Sequence, residues 1–96
     1  MNKDLEKLIN DKRTSYDSWS QMLPEGHQFV WSFIIETVHY KLQRFVPKIT
    51  NFPSEWTLWV MMKGSSDLIL SGDESKVIEF FRPVIRERKL NELNID

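Results

Sequence analysis

The chain has no cysteine and no alanine, and only three glycines. Without cysteine there is no disulfide framework, no thiolate nucleophile and no zinc–thiolate site, which fits a reducing, cytoplasmic setting. Gly26, Gly64 and Gly72 lie too far apart in sequence to build a phosphate-cradling loop. A core without alanine is filled by few, bulky side chains, although an A+T-rich coding sequence also depletes alanine. No apolar run approaches the ~20 residues of a membrane span. The opening MNKDLEKLINDK alternates charge with isolated Leu and Ile, unlike a signal peptide. Neither sign of charge dominates: 13 basic and 14 acidic residues leave a net charge of −1. That is neither the basic balance common in nucleic-acid binders nor an acidic tail.

What is present is bulk. The apolar share is 41%, and it includes 4 Trp, 6 Phe, 2 Tyr and 4 Met. Ninety-six residues fit a single domain, 1–96. A chain of this size buries roughly 60–70% of the surface its unfolded form exposes, enough for a modest core.

Leu5, Leu8, Ile9, Lys12, Tyr16, Trp19 and Leu23 step by three and four, which predicts a first helix, weakest at the poor helix formers of RTSYDS. Pro24 and Gly26 signal a turn. From Gln28 to Val46, Phe29, Val30, Phe33, Ile34, Val38, Leu42 and Phe45 again recur at helical spacing. Ser32, Glu36, His39 and Gln43 form a thin polar strip between them, so a second, central helix is expected, ended by Pro47.

The stretch EWTLWVMMKGSSDLILSG admits two readings. As a helix it starts at Ser54 and stops at Gly64. As a strand it sets Trp56, Leu58, Val60 and Met62 against Thr57, Trp59, Met61 and Lys63 on opposite faces. KGSSD makes a short turn and LILS is too brief for a helix, which favours a β-hairpin over about 56–71. Asp73, Glu74 and Ser75 suit a helix N-terminus, followed by Val77, Phe80, Phe81 and Val84 at helical spacing. Pro83 is expected to kink or split this last helix. The expected fold is therefore α+β: two N-terminal helices, a hairpin and a C-terminal helix. The alternative is an all-α bundle in which 54–63 is a short core helix.

No catalytic, metal-binding or cofactor signature emerges. Glu36 and His39 form half of a di-iron E-x-x-H pattern, but no second pair exists to complete it. No serine sits in a G-x-S-x-G elbow. Turn and cap duty accounts for Asp67, Asp73 and Glu74. The chain reads as a non-enzymatic protein-interaction module, a regulator or inhibitor of another protein, without cofactor. Trp59, Met61 and Ile69, on the second hairpin face, are the candidate protein-binding residues, since Trp anchors interfaces and Met adapts to partners. Pairing that face with a second copy gives a homodimer centred near Trp59. The competing reading is a nucleic-acid-associated protein: Arg82, Arg86 and Lys89 share a helix side and suit a phosphate or an acidic partner.

Overall fold

The computed structural model describes residues 1–49 and 51–93 and shows one helix at each end of the chain with five strands between them. They are α1 (Lys3–Lys12), β1 (Arg13–Leu23), β2 (Gly26–Ile35), β3 (Val38–Pro47), β4 (Glu55–Met62), β5 (Ser65–Gly72) and α2 (Glu74–Leu93). The strands form one antiparallel meander in the order β1-β2-β3-β4-β5.

This overturns the two N-terminal helices and equally the all-α bundle. The first helix stops at Lys12 and the chain enters β1 directly, through the poor helix formers of RTSYDS. The segment expected as the central helix is a β-hairpin. Phe29, Trp31, Phe33 and Ile35 lie on one face of β2, with Val30 and Ile34 on the other, so apolar residues on both faces imitate a helical stripe. Its many β-branched and aromatic residues are better suited to a pleated surface. Glu55–Met62 and Ser65–Gly72 pair as a hairpin around Lys63 and Gly64, but as the last two strands of a larger sheet. The final helix runs unbroken from Glu74 to Leu93, so it is not split at Pro83. Pro83 lies on its exposed side, where a carbonyl that loses its bond can be hydrated.

The helix ends are capped by side chains. Asn2 Oδ1 accepts from the backbone N–H groups of Asp4 at 2.9 Å and Leu5 at 3.2 Å. Asp73 Oδ1 accepts from the Ser75 hydroxyl at 2.5 Å and the Lys76 N–H at 3.3 Å. These bonds, that from Ser75 foremost, hold the Asp73 carboxyl below its ordinary value. A carboxyl whose folded value is depressed stabilises the fold above the unfolded value and loses that contribution as pH falls through the folded one. Asp73→Asn keeps a capping oxygen but removes the charge. Wild type is therefore expected to melt higher than Asp73→Asn at neutral pH, with the difference closing below the ordinary carboxyl range; thermal melts across pH check this.

Both helices cover the same sheet face. Leu5, Leu8 and Ile9 of α1 and Val77, Phe81 and Ile85 of α2 bury against Phe33, Ile35, Leu42, Trp56 and Leu58. Phe81 is the clasp: its ring lies 5.7 Å from Phe33 and 5.2 Å from Tyr40. Burial in this layer raises the Tyr40 phenol above its ordinary value, with Glu36 adding to the effect. Arg88 ties the two helices together, its Nε donating to Asp11 Oδ2 at 2.7 Å.

One turn departs from its usual residues. Glu36 and Thr37 join β2 to β3 with φ of 48° and 71°. A two-residue hairpin of this kind favours Asn-Gly, because left-handed φ crowds a Cβ and a β-branched Thr most of all. Glu36→Asn together with Thr37→Gly is expected to raise stability by about 1–2 kcal/mol. A higher urea midpoint at unchanged slope is the check.

Candidate protein-binding surface

Strand alternation sends every second side chain to the sheet face that carries no helix. On β2 these are Gln28, Val30, Ser32 and Ile34, and their cross-strand partners on β3 are Phe45, Gln43, Lys41 and His39. On β4 the row continues as Glu55, Thr57, Trp59 and Met61. Trp19 of β1 stands opposite Val30, at the near edge of the same face.

The far edge contains a correction. The β4–β5 register pairs Leu58 with Leu70 and then Trp59 with Leu68, leaving Ile69 as the extra residue of a bulge. Ile69 packs against the core under the helices. Of the three residues expected on this face, Trp59 and Met61 are there and Ile69 is not; Leu68 takes its place. A bulge is invisible to strict alternation, which explains the misplacement.

The surface is apolar at a level a solvated face does not need. Trp19 is 48% exposed, Ile34 41% and Leu68 52%, while Trp59 and Met61 are half-buried among their neighbours. Val30 is only 3% exposed although no helix covers it, so the surrounding side chains already exclude water. Polar groups satisfy one another across the strands. Trp59 Nε1 donates to Gln43 Oε1 at 3.2 Å, and the Ser32 hydroxyl is hydrogen-bonded to His39 Nε2. Among the described residues of β2 to β5, Lys41 carries a full charge within the face, and Glu55 stands at the start of its strand. Satisfied polar groups around fixed aromatics make a surface that can be dried cheaply.

Trp19, Ile34 and Leu68 were not expected here. A helical pattern puts the first two in helix stripes, and only the strand pairing brings them onto the face that carries Trp59. Glu36 and His39 are not on a helix at all: one is in a turn, the other on β3. No cluster of three or more potential metal-ligating side chains occurs among the described residues.

Arg82, Arg86 and Lys89 are brought together elsewhere, on the outer side of α2, around a groove of about 330 Å³ that Asp4 also lines. Arg82 is paired with Glu79 at 2.6 Å and Lys89 with Asp4 at 2.9 Å. No helix among the described residues is long and apolar enough to cross a membrane. No protein-family model matches the chain, and no curated protein or solved structure gives a significant match to it.

Proposed function

We propose that this chain is a non-enzymatic protein-binding module whose contact surface is the helix-free face of the sheet, and that a second copy of the chain occupies it. The observation that carries the reading is the set of large apolar side chains around Trp59 on a face with no covering layer. Five strands about 4.8 Å apart and eight to eleven residues long span roughly 24 Å by 30 Å, close to the ~800 Å² per partner of a standard interface. Two such faces stack about 10 Å apart in sheet-on-sheet contacts. A two-fold axis running along β4 sets Trp59 against its own copy. It keeps Lys41 about one strand spacing, ~5 Å, to the side, away from a like charge.

Face-to-face contact is favoured over edge pairing. β5 carries Asp67, three exposed serines and the bulge at Ile69, and charges and bulges on an edge oppose strand addition. Regulation or inhibition of a different protein through the same face follows if that protein replaces the second copy. Sedimentation of the wild-type chain is the test, with a dimer at micromolar concentration as the expected result.

Phosphate contact is the weaker reading of Arg82, Arg86 and Lys89. Their groove is floored by apolar side chains, and none of its lining residues is aromatic, so bases find nothing to stack on.

A further inference from the structure

Strand alternation puts His39 on the helix-free face, half-buried in β3. Ile34 stands opposite it on β2 and Met61 on β4, so apolar side chains flank the imidazole on both sides. Its Nε2 is hydrogen-bonded to the Ser32 hydroxyl, which satisfies one ring nitrogen of the neutral form. Lys41 is two residues along β3 on the same face, and Lys63 lies in the turn just beyond β4. Ser32 and Ile34 of β2, and Trp59 and Met61 of β4, carry no charge. The nearby carboxylates among the described residues are turned away. Glu36 lines a cavity with Leu8 and Val84 on the helix side, and Asp67 pairs with Val60, which shares that side with Tyr40.

From this placement we infer that acid opens the sheet-face homodimer, with His39 as its proton switch; the inference rests on the contact surface proposed above. A two-fold axis along β4 lays β5 of one copy over β3 of the other. Within one chain Ser66 is paired with Met61 and Leu68 with Trp59, so these are the β5 residues of the second copy that His39 meets. Neither can neutralise a positive charge. Covered in this way, an imidazolium loses its hydration without gaining a counter-ion, whereas the neutral ring keeps its bond to Ser32. Lys41, a cation on the same strand and face, adds repulsion to a charged ring. The separate chains therefore bind the proton more tightly than the dimer does, and falling pH draws the equilibrium toward the monomer.

Sedimentation equilibrium of the full chain at about pH 7.5 and about pH 5.5 is the test, a span across which an ordinary histidine gains its proton. One proton on each protomer weakens the dimer about tenfold, so the dimer Kd is expected to rise about a hundredfold. His39→Gln keeps a hydrogen-bonding group for Ser32 and cannot be charged, and its Kd should be the same at both pH values. The other of the two histidines, His27, has its ring 4.2 Å from that of Phe29, on the opposite face. His27→Gln should keep the full change, now assignable to His39 alone. Circular dichroism at both pH values verifies that each chain is folded. A wild-type dimer that is equally tight at the lower pH overturns the switch and leaves the contact surface standing. So does a His39→Gln dimer that weakens as much as wild type, or loss of the pH effect in His27→Gln. A wild type already monomeric at the higher pH removes the contact surface and the switch with it.

Discussion

Replacing Phe81 by alanine is expected to lower stability by about 3–5 kcal/mol, the range for removing a buried aromatic. The side chain is 1% exposed and joins three rings: Phe33 at 5.7 Å, Tyr40 at 5.2 Å and Phe80 at 4.9 Å. Its removal leaves a cavity at the point where α2 meets β2 and β3, and neither partner can follow the other inward. Small domains have about 5–15 kcal/mol in total, so the variant should lose between a fifth and all of its stability. Urea denaturation at one fixed protein concentration is the measurement, because the proposed dimerisation would make apparent stability concentration-dependent. A loss below about 1 kcal/mol contradicts the placement of the core between helices and sheet.

The same experiment separates the two tryptophans of β4. Trp56 is 2% exposed, stacks on Trp31 at 6.0 Å and lies under the Arg44 guanidinium at 5.2 Å. It belongs to the core. Trp59, three residues along and on the opposite face, does not. Alternation alone put these two residues on opposite faces of a hairpin, and that part of the architecture was readable because Trp56 to Met62 is bounded by a turn with glycine. Gly64, at φ of 80°, supplies the left-handed residue the turn needs.

The rest was obscured for definite reasons. β2 and β3 are joined through Glu36-Thr37, which carries none of the Asn-Gly or Asp-Gly chemistry that announces a hairpin. With the turn hidden, residues 28–46 present one long apolar pattern, and an apolar run on both faces fits a helix as well as a strand. The helix at the start was readable as far as Lys12 because Leu5, Leu8 and Ile9 all reach the core. Beyond it the apparent stripe of Tyr16, Trp19 and Leu23 was coincidental spacing. The contact surface was only half visible. Trp59 and Met61 follow from local alternation, whereas Trp19 and Ile34 join them only through pairing across strands, and the bulge exchanges Ile69 for Leu68.

The second large effect is on assembly. An aspartate at position 59 puts a charge into the dry centre of the proposed contact, which costs several kcal/mol there and little in water. Each protomer contributes one such residue, so a hot-spot loss of about 2 kcal/mol counts twice and weakens the dimer roughly a thousandfold. The fold should survive, because Trp59 lies outside the buried core and its side-chain hydrogen bond to Gln43 is on the partly solvated face.

Sedimentation equilibrium of the wild type and Trp59→Asp at matched concentrations, with circular dichroism on the same samples, tests the claim that the helix-free face is the contact surface. The expected result is a wild-type dimer at about 10–100 µM and a Trp59→Asp monomer with an unchanged spectrum. A wild-type monomer across that range, a variant that stays dimeric, or one that unfolds instead of dissociating would contradict it.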